Sequence, residues 1–133
     1  MNIYFSASIK GGRQLVQTYA EMVQELKKYG NVLTEHIADS DYAKTGYLPA
    51  DVIYKQDVDF LCDSQVVVAE VTVPSLGVGY ELAYAESRGI PVYCFYDSRL
   101  GNVSSMVLGN PNFTCFDTAK VDFAQKIKEL LGE

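Results

Sequence analysis

Glu81 is a residue whose type and position in the sequence suit a role in catalysis. It lies in the opening turns of a predicted helix in which Val78, Leu82 and Ala85 face the interior. At the start of a helix the dipole favours an ionised carboxylate, which is the form that a nucleophile needs. The alternative is a surface glutamate that the dipole merely stabilises. The residues alone leave both interpretations open.

Asp57 is a second carboxylate in an unusual place. On the helix predicted over Pro49–Cys62, helical spacing puts it on one stripe with Ile53, Phe60 and Leu61, the face that should be buried. Burying an unpaired carboxylate is costly, so an inward aspartate has either a polar partner or a catalytic task. The structural alternative is an aspartate that is bonded to a neighbouring tyrosine or backbone amide.

The segment Ser6–Arg13 predicts an anion site. Small residues and glycines lead into a helix there, with Lys10 and Arg13 in reach, and backbone N–H groups at such a helix start bind anions. The alternative is an ordinary glycine-rich turn with an N-cap serine.

The sequence gives no support for a dinucleotide cofactor site or a metal site. The pair Gly77 and Gly79 resembles the start of a dinucleotide fingerprint, but Leu82 replaces the third glycine and the stretch follows the third strand. His36 is the one histidine and has no ligand cluster or Ser-His-acid arrangement around it. We therefore expect no cofactor and no metal.

Alternating sequence periods predict the elements that position these residues. Short β-rich runs alternate with helical patterns, and the runs are Asn2–Phe5, Asn31–Leu33, Val66–Glu70, Val92–Tyr96 and Thr114–Phe116. Helices are expected around Leu15–Leu26, ending near an αL Gly30, over Pro49–Cys62 and Val78–Arg88, and from Phe123. This alternation predicts an α/β fold.

We expect a single doubly wound, five-stranded parallel sheet with helices on both faces and the flavodoxin-like order 2-1-3-4-5. Its ligand crevice lies beyond the carboxyl ends of strands one and three. That edge would bring the Ser6–Arg13 loop close to the Glu70–Leu82 loop.

Composition limits the class of protein. The 133 residues fit one domain over residues 1–133, and no run is long and apolar enough to span a bilayer. Three scattered cysteines in apolar sequence suit buried thiols, and the chain start is strand-like, so we expect a cytoplasmic protein. A net charge of −6 argues against a nucleic-acid polymer as ligand.

Several motifs together resemble one family. They are Tyr4-Phe5 through Ser8-Ile9-Lys10-Gly11-Gly12-Arg13, Leu33-Thr34-Glu35-His36, Gln56-Asp57, Val67-Val68-Ala69-Glu70-Val71-Thr72, and Pro74-Ser75-Leu76-Gly77-Val78-Gly79-Tyr80-Glu81-Leu82. Over almost its whole length the chain resembles the nucleoside 2-deoxyribosyltransferase superfamily, most closely the 2′-deoxynucleoside 5′-monophosphate N-hydrolase branch.

The resemblance implies roles for particular residues. Glu81 matches the nucleophile, Asp57 the acid that assists at the base and sugar, and Tyr4 the tyrosine that orients the nucleophile. Matches to the substrate-binding positions are Ser8, Ile9, Lys10, Gly11, Gly12, Arg13, His36, Ser75, Gly77 and Ser104. It also implies a homodimer in which the partner supplies Ser104.

Two departures from the family pattern bear on the phosphate site. Lys10 stands where relatives carry arginine, so a flexible point charge replaces a planar fork. The Ser104 segment matches loosely, and Ser105 is an alternative for the same role.

Three functions follow from these observations. The resemblance implies hydrolysis of the N-glycosidic bond of 2′-deoxynucleoside 5′-monophosphates by a retaining mechanism through a glycosyl-Glu81 intermediate. The alternatives are base exchange on free deoxynucleosides and a nucleotide-binding module without turnover.

Overall fold

The chain forms one parallel sheet between two layers of helices. The computed structural model describes residues 1–9, 15–38 and 48–132. The elements in chain order are β1 (Asn2–Ala7), α1 (Val16–Leu26), β2 (Asn31–Val32), a short 3₁₀ helix (Glu35–Ala38), α2 (Ala50–Cys62), β3 (Val66–Glu70), α3 (Leu76–Ser87), β4 (Val92–Tyr96), α4 (Ser105–Leu108), β5 (Phe113–Asp117) and α5 (Phe123–Leu131).

The predicted topology is confirmed. All neighbouring strands pair in parallel, and the order is β2-β1-β3-β4-β5. Residues of α1 and α5 pack with Ile3 and Phe5 on one face of the sheet. Residues of α2 and α3 pack with Tyr4 and Val67 on the other face. Because successive side chains of a strand point to opposite faces, Tyr4 and Ser6 both point toward the α2 and α3 layer.

Strand boundaries differ from the predicted ones near the crevice. β1 runs two residues further than predicted, to Ala7, and β2 ends before Leu33. Beyond β2 the hydroxyl of Thr34 accepts from Phe5 N at 2.8 Å and donates to Phe5 O at 2.7 Å. One side chain thus satisfies both backbone groups of β1 that a longer β2 would have paired.

The expectation of a left-handed Gly30 is wrong. Within the described ranges positive φ occurs at Gly89 and Gly101. α1 ends earlier, at Leu26, and a Cβ on Gly30 would stand 2.3 Å from the carbonyl oxygen of Met1. Glycine is needed there because another backbone passes close to it.

The cysteines follow expectation in part. Cys94 is buried and Cys115 half-buried, whereas Cys62, which was expected to be buried, is exposed at the end of α2. In the part of the chain that the structure describes, no helix has the length and apolarity needed to cross a membrane.

Candidate active site

Helix α3 carries Glu81 to the sheet. The hydroxyl of Ser75 caps the helix by accepting from Val78 N at 3.2 Å, and the helix begins two residues before its predicted start. Val78, Leu82 and Ala85 are buried, as the periodicity predicts. Their burial fixes the rotation of the helix, and Glu81 then faces β1.

Two hydroxyl groups of β1 hold the Glu81 carboxylate. The hydroxyl of Tyr4 donates to Oε2 at 2.5 Å, and the hydroxyl of Ser6 donates to Oε1 at 2.8 Å. Tyr4 and Ser6 are both fully buried. Each carboxylate oxygen therefore has its own donor, and the orientation of the carboxylate is fixed.

Burial sets the charge state of Glu81. Its pKa is raised to about 7, chiefly because burial removes solvent from the charged form. The hydrogen bonds from Tyr4 and Ser6 lower this pKa, and the charge of Asp57 raises it. That the helix start favours the ionised form stays a prediction, and burial acts against that form. Near neutral pH this carboxyl exchanges readily between its two forms.

Asp57 lies on α2, close to Glu81 and Tyr4. It is half-buried, and burial raises its pKa to about 6. Its charge raises the pKa of Glu81 and of Tyr4, whose pKa lies far above the ordinary value chiefly because of burial. Among the described residues neither a tyrosine nor a backbone amide donates to Asp57, as the structural alternative required. The structure thus brings Tyr4, Asp57 and Glu81 together.

The raised pKa of Glu81 predicts a stability change that does not depend on catalysis. The folded pKa of about 7 lies above the ordinary 4.5, so the protonated form is stabilised by folding. That stabilisation is present below about pH 4.5 and is lost as the pH rises through about 7. Glu81→Gln removes the titration, and relative to wild type it should gain stability with rising pH, up to about 3 kcal/mol.

Thermal unfolding of both proteins at pH 5 and pH 8 measures this effect. We expect the difference in Tm, variant minus wild type, to be more positive at pH 8 by several degrees. If the difference in Tm were the same at pH 5 and pH 8, the pKa of Glu81 would not be raised by folding.

A groove of about 850 Å³ runs between α3 and the segment around α4. Its lining includes Ser75, Ser104 and Ser105 but not Tyr4, Asp57 or Glu81. Ser104 caps α4 by accepting from Met106 N at 3.2 Å. The two serines that the resemblance assigns to phosphate thus lie along one groove of one chain, next to the helix that carries Glu81.

The other substrate-binding candidates lie at the carboxyl edge of the sheet. Ser8 is fully buried, and its Oγ has no hydrogen-bond partner in the described structure. Ile9 is half-buried against the core on the α1 face. Gly77 is exposed in the first turn of α3. His36 is half-buried in the 3₁₀ helix, and burial lowers its pKa.

Part of the expected phosphate loop lies beyond the residues that the structure describes. Lys10, Gly11, Gly12 and Arg13 lie outside the described residues. The described part of the loop therefore consists of Ser8 and Ile9 alone.

Ser6 is a site residue that the sequence patterns missed. The patterns ended β1 at Phe5 and assigned Ser6 to the loop, whereas the strand continues to Ala7. Two-residue alternation from Tyr4 would have identified it, since the side chain two positions along a strand points to the same face.

The chain is similar to proteins of known name. A family model described as nucleoside 2-deoxyribosyltransferase matches residues 3–126. The 5-hydroxymethyl-dUMP N-hydrolase of Rattus norvegicus is 46% identical over 112 residues, which cover 81% of this chain and 69% of that protein. A Methanococcoides burtonii protein with the provisional name 2′-deoxynucleoside 5′-phosphate N-hydrolase 1 is 46% identical over 114 residues, or 83% of this chain and 91% of that protein.

A solved structure shares the fold. The Clostridium botulinum CMP N-glycosidase BcmB aligns with a TM-score of 0.63 at 15% identity, covering 98% of this chain and 100% of that one. At this identity the likeness speaks for the architecture alone. The extent of the family match and the two relatives at 46% identity show that the chain belongs to the nucleoside 2-deoxyribosyltransferase family.

Proposed function

We propose that this chain hydrolyses the N-glycosidic bond of 2′-deoxynucleoside 5′-monophosphates, giving 2-deoxyribose 5-phosphate and a free base. The observation that carries the proposal is the half-buried Glu81 carboxylate, held by Tyr4 and Ser6 beside Asp57. The names of the two relatives, both N-hydrolases of deoxynucleotides, support the same reaction.

The chemistry proceeds in two displacements. In the first, a Glu81 oxygen bonds to C1′ while the C1′–N bond breaks, and the base leaves with the bonding pair and takes a proton from Asp57. In the second, water attacks C1′, its proton passes to Asp57, and Glu81 regains its negative charge. The sugar lacks an electron-withdrawing 2′-OH, so positive charge develops on its ring more easily.

The two carboxyl groups titrate as a pair. The productive form has Glu81 ionised and Asp57 protonated. Because the pKa of Asp57, about 6, lies below that of Glu81, about 7, this is the less populated of the two singly ionised forms. Because they interact, the two observed pKa values belong to the pair and not to either residue. The rate should therefore fall on both sides of a maximum near this range.

One product analysis tests the proposed reaction. The protein is incubated with dGMP, 5-hydroxymethyl-dUMP, deoxyguanosine and GMP, with and without a second free base. We expect free base and 2-deoxyribose 5-phosphate from the deoxynucleotides, and little product from deoxyguanosine or GMP. A new nucleoside formed with the second base would indicate the transferase, and no product at all would indicate a binding module.

We also propose that the chain works as a homodimer and that Ser104 of one subunit reaches the phosphate in the other. Leu76 and Met106 are 97% and 83% exposed at the groove, and large apolar side chains at a surface favour association. Ser75 and Ser104 share a groove within one chain, so action within a subunit is the competing arrangement.

Ser104→Ala tests the phosphate role of this serine. Removing one hydrogen bond to a charged phosphate should lower kcat/KM for dGMP by roughly tenfold or more, while any residual cleavage of deoxyguanosine stays unchanged. Ser105→Ala is the matched variant, since the resemblance leaves these two serines as alternatives. Equal losses on dGMP and deoxyguanosine would contradict a phosphate contact.

Mixed dimers decide which subunit supplies the serine. A Ser104→Ala subunit paired with a Glu81→Ala subunit has one complete site only if Ser104 acts across the interface. Activity on dGMP should then rise above that of either homodimer. No recovery, or full wild-type activity in a monomer by light scattering, would contradict the dimer proposal.

The same proposal assigns residues 1–133 to one domain acting in the cytoplasm. All five strands belong to one sheet, which supports a single domain.

A further inference from the structure

Among the described residues two hydroxyl groups donate hydrogen bonds to Glu81, and one of them is that of Ser6. Its hydroxyl donates to Oε1 at 2.8 Å, whereas Tyr4 donates to Oε2. Ser6 is fully buried on β1, so no solvent competes for this bond. Among the residues that the structure describes, no lysine or arginine forms an ion pair with Glu81. Here the carboxylate charge is therefore stabilised mainly by two hydroxyl groups.

We propose that Ser6 is a positioning residue that promotes release of the sugar from Glu81, by stabilising the carboxylate that reforms when the glycosyl–enzyme bond breaks. The inference rests on the proposed covalent reaction. It assigns a task to a side chain that is bonded to the nucleophile itself.

The strength of a hydrogen bond depends on the charge of its acceptor. A hydroxyl binds a carboxylate about twice as strongly as it binds a neutral ester oxygen. The bond from Ser6 therefore stabilises free Glu81 more than the glycosyl ester. A contact that stabilises the carboxylate more than the ester slows formation of the ester and speeds its cleavage. Ser6 therefore makes Glu81 a weaker nucleophile but a better leaving group.

Tyr4 does not make Ser6 redundant. When one oxygen of Glu81 bonds to C1′, the other becomes the ester carbonyl, and the structure provides a donor at each. With both donors present, the negative charge that forms when the ester breaks is stabilised by a hydrogen bond at each oxygen. With Ser6 removed, Oε1 loses its donor in a site whose third facing group, Asp57, opposes negative charge.

Ser6→Ala separates the two steps of the reaction. We expect kcat on dGMP to fall by about tenfold, the loss of one hydrogen bond to a charged group. Base release should show a burst, and the mass of the quenched protein should rise by one deoxyribose phosphate group. The basic limb of the pH–rate profile should move to higher pH, because Glu81, whose pKa is the higher of the pair, loses one of the contacts that favour its charge.

Two variants control the experiment. Ser64→Ala removes another buried serine hydroxyl, one that donates to Phe60 O away from the site, and it should leave kcat and the pH limb unchanged. Ser6→Thr keeps a hydroxyl on a residue that suits a strand and should restore rapid release. If its added methyl prevents folding, Ser6→Cys keeps a weak donor and should give an intermediate rate.

The outcomes distinguish this inference from the proposed function. If wild type releases no base from any deoxynucleotide, the proposed function itself fails. If wild type is active and Ser6→Ala matches it, or is slow with neither a burst nor an adduct, the release role of Ser6 is wrong.

Discussion

Glu81→Ala should lower turnover of dGMP by roughly 10⁴-fold or more, the usual effect of removing a catalytic nucleophile. The reason is that, among the described residues, the other carboxylate whose charge acts on Glu81 is Asp57, which lies on a different helix and has the proposed role of acid. Glu81→Gln should cause a similar loss, because the amide keeps the shape but cannot attack C1′. Steady-state kinetics with circular dichroism on both variants measures the effect.

The two variants also separate chemistry from folding. Both should remain folded, since the burial of Val78, Leu82 and Ala85 fixes α3 without Glu81. Intact-mass analysis should detect a glycosyl adduct in slow wild-type reactions and none in either variant. If either variant kept a tenth of the wild-type rate, Glu81 could not be the nucleophile.

Asp57→Asn should lower the same rate by roughly 10²- to 10⁴-fold, the usual contribution of a positioned acid. An amide cannot give a proton to the departing base. The melting temperature should change little, because Asp57 accepts no hydrogen bond among the described residues and its burial already disfavours the charge.

Asp59→Asn is the matched control for this prediction. Asp59 lies two positions along α2, is exposed, and pairs with Lys55 at 2.8 Å. This variant should retain wild-type turnover. A large fall in Tm for Asp57→Asn with normal activity would instead assign Asp57 a structural role.

The sheet could be predicted because its strands are short apolar runs between helical patterns. The boundaries of β1 and β2 could not, because they depend on a tertiary contact. The hydroxyl of Thr34 bonds to the backbone N–H and C=O of Phe5 in place of a longer β2. No local sequence pattern in either segment predicts this contact. Ser6 was missed because serine and alanine do not favour a strand, although two-residue alternation places Ser6 on the same face as Tyr4.

The carboxylates show a different limit of sequence reasoning. Asp57 stood out because a charged residue interrupted an apolar stripe. The charge state of Glu81 could not be predicted, because burial and the hydrogen bonds from Tyr4 and Ser6 shift its pKa in opposite directions. Only the packed environment shows which is larger.

Helix α3 joins two parts of the site in one rigid body. Ser75 caps its first turn and Glu81 lies six positions later, which corresponds to roughly 9 Å along the axis. A helix of this length does not stretch, so loop movements cannot alter that spacing. In the proposed reaction, where Ser75 binds the 5′-phosphate and Glu81 attacks C1′, the helix would therefore fix the distance between these two contacts. A diphosphate, or a sugar with a longer 5′ arm, would have to displace C1′ from Glu81, so the chain should select substrates by length as well as by charge.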